Sequence, residues 1–536
     1  MHVSKNLDHL GIVAGVCNEI KVAEEIDRIV GVDPRQKVTC GQAVVAMILN
    51  ALGFVDRPLY LFPEFLKNKP VELLIDPALV AEDFNDDVLG RTLDKLAAAG
   101  LEETFISVAS KARAYTQGDR LFFHSDTTSM SVHGAYDHDE EEVPIRITHG
   151  YPKDHRADLK QFVVSMVTSR GLPVFVQTLS GNTSDKDHFR DLFQAYGLML
   201  TQAWGTDGIW VWDSAFYTET NLKALPHGTR WITRVPENLL LTQETLRQTP
   251  QETMHATSLE GYLVQHTMVT YAGIPQRWIV VFSQQAYDRE KKTLDKTIRR
   301  EKEEIETMLW HLSHQEYQCR EDARSAVHTL AKRWKYHGIH ETRLVEQTRK
   351  KHGGKGRPAA GDTRTIYQVH AIFMEDDETV TRRQQSLGRF IVATNQLDPG
   401  DLSDEDALQG YKDQQQVEHG FRFLKDPMFF THAVFLKTER RIQALVMIMG
   451  LALLVDAVAE RKLRRALEEM DETLPDQRGK PTRTPTMRRT FQVFEGVTIL
   501  YDEHGRERLE VMNLGEVSQK ILALFGGEYE RIYCIV

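Results

Sequence analysis

Three residues in "YKDQQQVEHGFRFLKD" (411–426) keep a spacing that suits the handling of a phosphodiester: Tyr411, Glu418 and Lys425. Read as one helix at about 100° per residue, Tyr411, Gln414, Glu418, Arg422 and Lys425 all project from one side. A carboxylate flanked by a phenol, an amide and two cations can hold a metal ion beside a phosphate, the carboxylate taking the metal and the others the phosphate oxygens. The plainer alternative is a surface helix with an i,i+4 pair of Glu418 and Arg422. Two further acids, Asp126 in "HSDTTSM" (124–130) and Asp213 in "IWVWDSAFY" (209–217), lie in or after strand-like runs, at or near strand ends. Three carboxylates from two strands and a helix can hold two divalent ions roughly 4 Å apart. One ion then activates a water or a 3′-hydroxyl and the other steadies the leaving oxygen.

The elements that must position these residues read as an α/β arrangement behind a helical front. "CGQAVVAMILNALG" (40–53) and "DVLGRTLDKLAAAG" (87–100) are helices ending at glycines. From 119 the period changes to strands, with "QFVVSMVTSRGLPVFVQTLSGN" (161–182) two strands joined at a Gly turn, then a helix over 185–200 and a strand leading to Asp213. A long charged helix starts near 287, and Leu294, Ile298, Ile305, Met308 and Leu312 fall near a and d spacing, broken by Glu301. This predicts a helical hairpin within one chain. Ser403 then caps the helix that carries the opening stretch.

The chain divides on this reading into a helical N-terminal domain (1–112), the first part of an α/β core (113–235) and an insertion of strands, helical hairpin and basic loop (236–400). The last part of the core with its Glu-bearing helix (401–475) and a basic C-terminal tail (476–536) complete it.

Charge bears on the partner. The net charge of −11 over 536 residues argues at first against nucleic acid, which normally needs a basic footprint. Residues 1–110, however, hold 10 Lys and Arg against 17 Asp and Glu, most of the deficit. "TRKKHGGKGRP" (348–358) and "QRGKPTRTPTMRR" (477–489) each carry five basic residues and no acid, so Lys350, Lys351, Lys355, Arg357, Arg488 and Arg489 are candidate DNA contacts. "GKGRP" (354–358) suits an arm in an A·T-rich minor groove. The apolar run "ALVMIMGLALLV" (444–455) ends at Asp456 and reads as a buried core helix, so no membrane partner is expected. Four scattered cysteines make no CxxC, which fits a reducing compartment. His311 and His314 have no ligand partners nearby and read as solvent-facing.

The run Tyr411, Gln414, Glu418 and Lys425 resembles the YREK signature (Y-x2-R-x3-E-x6-K) of DDE transposases from bacterial insertion sequences, the "insertion-sequence-four" superfamily. "SDTTSM" and "VWDSAFYTETNL" resemble that group's first and second acid motifs. "YPKDHRADLKQFVVSMVTSRGLPVFVQTLSGNTSDK" and "PTRTPTMRRTFQVFEG" resemble a subgroup with a helical front. The resemblance implies a ribonuclease-H-like catalytic core interrupted by a large mixed insertion. Asp126, Asp213 and Glu418 would be its catalytic, metal-binding triad for two Mg²⁺, with Mn²⁺ able to substitute. Tyr411 and Lys425 would contact phosphates. Gln414 departs from the family's arginine, a loss of charge that Arg422 on the same face could offset, and Ala215 stands where relatives often have glycine.

The implied protein is a metal-dependent endonuclease and strand-transfer enzyme working as a homodimer on double-stranded DNA, both inverted-repeat ends and target. It would cut and paste through hairpin ends, with base flipping for which Trp278 is one candidate and core packing the stronger reading. Its place would be the bacterial cytoplasm, at the nucleoid. The alternatives are a catalytically silent DNA-binding descendant, hinted at by Gln414, and a ribonuclease-H-like nuclease.

Overall fold

Strand β1 (Val3–Asn6) opens the chain and seven helices follow: α1 (Leu10–Glu19), α2 (Val22–Val30), α3 (Cys40–Ala51), α4 (Phe62–Leu66), α5 (Val71–Leu74), α6 (Asp86–Ala99) and α7 (Leu101–Ser110). The computed structural model describes residues 2–54, 57, 61–116, 120–134, 136, 143–152, 156–205, 208–351, 361, 363–425, 438–502 and 507–533. Helix α3 starts in a capping box, where Thr39 and Gln42 satisfy each other's backbone N–H groups, and every residue of it but Gln42 is buried. Gly41 lets it cross close to α2, since a Cβ there would lie 2.1 Å from the Ala23 carbonyl oxygen. The two helices expected over 40–53 and 87–100 are α3 and α6.

Next come β2 (Phe122–Val132), β3 (Lys160–Ser169), β4 (Leu172–Ser180), α8 (Asp185–Trp204), β5 (Ile209–Trp212), α9 (Glu219–Ala224) and β6 (Arg230–Arg234). The turn between β3 and β4 puts Arg170 and Gly171 at φ 51° and 79°, the conformation that a two-residue hairpin favours. Then follow α10 (Leu240–Gln248), β7 (His255–Ala256), β8 (Tyr262–Tyr271) and β9 (Ile274–Ser283). After the segment α11 (Gln284–Ser313), α12 (Arg320–Ala331), β10 (His337–Lys350), β11 (Thr363–Glu375) and α13 (Asp377–Gln384), the chain returns as β12 (Arg389–Thr394). One nine-stranded sheet has the order β4-β3-β2-β5-β6-β12-β9-β8-β7. Strands β2, β5 and β6 run parallel to one another, and the other pairings are antiparallel. Strands β8, β9 and β12 therefore extend the core sheet, and α11, α12, β10, β11 and α13 lie outside it between β9 and β12.

That segment is not a helical hairpin. Helix α11 and the short α12 pack on the long β10–β11 ribbon, with Leu294 and Ile298 against Tyr336, Val380 and Leu387, and Leu312 nearer Val369 and Tyr367. Glu301, which broke the apolar seam, accepts hydrogen bonds from the backbone N–H groups of Lys335 and Tyr336 and pairs with the His337 ring. The seam thus faces a ribbon, and its one acid ties the ribbon's first turn to the helix. His311 and His314 are exposed beside Trp310.

Helices α14 (Asp404–Lys412), α15 (Gln415–Leu424) and α16 (Glu439–Glu469) follow. Helix α16 is long and apolar enough by composition to cross a membrane, but 83 % of its most apolar window is buried inside the protein, as a core helix requires. The short pair β13 (Leu474–Pro475) and β14 (Pro481–Thr482) leads to α17 (Met487–Gln492), β15 (Thr498–Tyr501), β16 (Arg508–Met512), α18 (Glu516–Phe525) and α19 (Gly527–Ile532).

This last segment is a folded layer rather than a basic tail. Strand β15 pairs with β1, and Tyr529 and Tyr533 cover Gly15 and Gly11 of α1. Apolar residues such as Phe491, Phe494, Ile499 and Tyr533 bury in one core with the first helices, with Arg488 and Arg531 exposed and Arg508 and Lys520 half-buried.

His9 shows how closely the two ends are joined. Its ring stacks on Phe491 at 4.1 Å, meets Phe54 edge-on at 4.4 Å, and its Nε2 lies 2.6 Å from the Leu52 carbonyl oxygen. Burial lowers the imidazole pKa to about 4. The unfolded chain takes up this proton near pH 6.5 and the folded chain near 4, so stability is full above pH 6.5 and declines as pH falls toward 4. The loss should be on the order of 3 kcal/mol. Urea unfolding midpoints at pH 7, 5.5 and 4.5 should fall more steeply for the natural chain than for His9→Phe; equal slopes would show that His9 titrates normally.

Candidate active site

The sheet's two faces are distinct. One packs Phe123, Trp210, Trp212, Trp231, Trp278 and Val280 into the main core; the other packs Ile209, Val211, Ile232, Ile279, Val281 and Val392 beneath α14. Trp278 is fully buried, so it is a core residue and offers no surface for stacking a base.

Side chains alternate along a strand, so parity assigns each site residue to a face. On β2, Phe122 packs in the α14 cluster and the His124 Nε2 lies 2.7 Å from the Gly410 carbonyl oxygen, which puts Asp126 on the same side. On β5, Ile209 and Val211 place Asp213, the next residue after the strand, on that side as well. Register then aligns them. Phe122 pairs with Ile209 and His124 with Val211, and continuing that parallel register sets Asp126 level with Asp213. In the same way Ile209 pairs with Arg230 and Trp212 with Thr233, which sets Asp213 level with Arg234. Asp126, Asp213 and Arg234 thus form a row across three neighbouring strands, each step about 4.8 Å.

Asp126 sits in the middle of β2, not at its end, because β2 goes on pairing with β3 as far as Val132 while β5 stops at Trp212. Its Oδ1 accepts the Thr127 backbone N–H at 2.7 Å. Asp213 accepts the Ala215 N–H at 2.9 Å, and its own carbonyl accepts the Thr233 hydroxyl at 2.8 Å. Ala215 is not among the residues with positive φ, so this turn does not demand glycine.

The helix expected over 403–425 is two helices. Asp413 N–H still bonds the Gln409 carbonyl, but Gln414 N–H bonds Tyr411 O and Val417 N–H bonds Gln414 O, the tighter i to i−3 pattern. The single face drawn at constant pitch does not carry across that step. Tyr411 lies in the last turn of α14, Gln414 caps α15, Glu418 is exposed in its first turn, Arg422 is exposed in its last turn, and Lys425 is its partly buried C-cap.

Helix α14 is fastened at both ends. The fully buried Arg277 of β9 donates to the Leu402 carbonyl and lies 3.7 Å from Asp404, which also meets His266 at 2.6 Å. At the other end is the His124 contact to Gly410. Tyr411 is therefore held over the acid row, its ring 6.0 Å from that of Phe390. Burial pushes the phenol's pKa up; the Arg234 guanidinium beside it pulls the other way, and Asp213 and Glu418 add to the rise. Arg234, Asp213 and Glu418 thus each act on the Tyr411 hydroxyl through their charges. Arg234 also pairs with Glu237 at 2.6 Å and lies over Phe390 at 5.1 Å. Sequence reasoning missed Arg234; its signal was the alternation in "RWITR", which puts it on the same face as Ile232.

Among the described residues no three His, Cys, Asp or Glu side chains converge closely enough to hold a metal ion, so the three acids do not close into one cluster. Their chemistry fits a hard divalent cation, which takes carboxylate oxygens. Among the described residues, the expected basic contacts outside α15 lie on other elements. Lys350 and Lys351 lie at the far end of the β10–β11 ribbon, Lys351 donating to the Gly361 carbonyl, and Arg488 and Arg489 lie on α17. Lys355, Arg357 and the rest of "GKGRP" lie outside the described residues.

Residues 2–110 match a domain of unknown function, DUF4277, and residues 119–455 match the transposase DDE domain. No curated protein matches. Among solved structures, the piggyBac transposase synaptic complex with hairpin DNA, a cryo-electron microscopy structure, is similar at 10 % identity and a TM-score of 0.37, covering 92 % of this chain and 82 % of that one. More than half of the chain lies within the DDE match, and the chain belongs to the transposase DDE domain family.

Proposed function

We propose that this chain is the transposase of a bacterial insertion sequence of the YREK group, which cuts DNA at the element's inverted-repeat ends and joins the freed 3′-hydroxyls to a target. The observation that carries this reading is the row of Asp126 and Asp213 on adjacent parallel strands, with Tyr411 in the field of both Asp213 and Glu418. The strand order β4-β3-β2-β5-β6, three antiparallel strands followed by two parallel ones, supports a ribonuclease-H-like core for it.

On this reading Asp126, Asp213 and Glu418 hold two Mg²⁺, or Mn²⁺ in their place. When bound, such ions make a phosphodiester more electrophilic and a hydroxyl more acidic. The chain's own groups orient the DNA. Arg234 presents a guanidinium fork to phosphate oxygens, Tyr411 and Gln414 donate hydrogen bonds, and Lys425 and Arg422 add charge along α15. The protein works as a homodimer bridging two ends at the nucleoid, with excision passing through hairpin ends. Lys350 and Lys351 follow flanking DNA from the end of the ribbon, Arg488 and Arg489 do so from α17, and Lys355 and Arg357 add to these contacts.

A second reading, a silent DNA-binding descendant, is favoured by the open arrangement of the three acids and by Gln414.

Labelled DNA carrying the element's own ends, incubated with Mg²⁺ or EDTA, separates the two. Metal-dependent nicking at the end, abolished in Glu418→Gln while binding survives, is expected; binding without cutting in any metal would establish the silent form. Arg234→Ala should weaken end binding about tenfold and make the slope of log K against log salt shallower by about 0.9 for each phosphate no longer neutralised. An unchanged slope would remove Arg234 from the phosphate site. For Gln414→Arg the expected outcome is tighter end binding at matched salt.

A further inference from the structure

The domain of unknown function is not a separate head. Helix α16 is clamped to it at both ends: Arg441 pairs with Asp94 of α6 at 2.7 Å, and Lys462 pairs with Glu19 of α1 at 2.6 Å. Between these clamps, the fully buried Phe105 of α7 fills the notch at Gly450 of α16, where a Cβ would lie 2.9 Å from both the Phe105 ring and Val176 of β4. One turn on, Leu453 of α16 reaches the notch at Gly420 of α15, where a Cβ would lie 3.1 Å from Leu453 and 3.0 Å from Met166. Met166 is the cross-strand partner of Asp126. Gly420 is two residues from Glu418, and the buried side of α15 packs inward while Glu418 faces outward.

We propose that residues 1–110 form the back wall of the catalytic site, with Phe105 a positioning residue for Glu418 and Asp126. Its contact runs through Gly450 and Leu453 to Gly420 and Met166, and each glycine permits an approach that leaves no slack. Removing the ring opens a cavity behind α16, and the relaxation of the helix reaches both acids. The inference rests on the metal-binding reading of Asp126, Asp213 and Glu418.

The test uses the full chain and reads Mn²⁺ binding by electron paramagnetic resonance alongside end cleavage and thermal unfolding. Phe105→Ala should weaken Mn²⁺ binding about tenfold, the range for outer partners of metal ligands, while end-DNA affinity stays within about twofold. Gly450→Ala alone overfills the notch and should impair cleavage; combined with Phe105→Ala it partly refills the cavity and should recover Mn²⁺ affinity. Phe105→Leu keeps most of the packing and gives the same comparison if the alanine variant does not fold. A folded Phe105→Ala or Phe105→Leu chain with the natural Mn²⁺ midpoint, or a double variant no better than its parents, would overturn the proposal. Should Glu418→Gln keep the natural Mn²⁺ affinity, the metal reading itself is at fault.

Discussion

The parallel pairing of β2 with β5 is the constraint on which the rest of the site depends. A one-residue slip would turn every side chain of β5 to the opposite face, sending Asp213 into the tryptophan layer and Trp212 under α14. The two faces resist that slip in different ways. One interlocks large rings, with Trp210 and Trp212 stacked at 5.8 Å and Trp212 on Phe216 at 4.0 Å; the other takes only the slimmer Ile209 and Val211. Register is therefore specified by the bulk of the tryptophans, and the acid row follows from it.

On the face that Val176 and Met166 share with Asp126, α16 serves as the spine. Nineteen of its residues are buried, more than the α/β core alone could cover, and the surplus lies against α1, α3, α6 and α7. This gives the acidic front a role that does not depend on DNA. Its apolar side closes the core, and the acids on its other side pair with α16 through Asp94 and Glu19. A net charge of −11 is then compatible with a nucleic-acid partner, because most of the deficit belongs to residues 1–110 and part of it is paired with α16.

What was legible in the sequence was periodic and local. The helices over 40–53 and 87–100, the hairpin at Gly171 and the strands around both aspartates all follow from apolar spacing and glycine punctuation. The break at Asp413 and Gln414 was not legible, since both residues are ordinary in a helix and the tighter turn comes from packing on either side. The folded C-terminal layer was missed for a different reason. Phe491, Phe494, Ile499 and Tyr533 follow no single period, and their partners lie almost 500 residues away, on α1 and β1. Strands were expected in this segment, but that two of them form a ribbon against α11 was not legible, because an apolar seam reads the same whether a helix or a strand pair covers it.

Gln414 brings these threads together. A cation at position 414 would sit at the break itself, on the N-cap of α15, in a turn whose backbone bonds follow the tighter i to i−3 pattern. Arg234 arises instead from the end of a central strand, fixed by register beside Asp213, held over the Phe390 ring and paired with Glu237. Less side-chain entropy remains to be lost when such a guanidinium meets an anion, because its fork is already oriented. The tyrosine hydroxyl beside it gains the same advantage from α14, whose two fastenings are to β9 and β2 rather than to the helix that follows. The charge that the helical pattern lacks is thus present at the same hydroxyl, carried by the sheet, and its position depends on the pairing of β5 with β6 in the way that the acid row depends on β2 with β5.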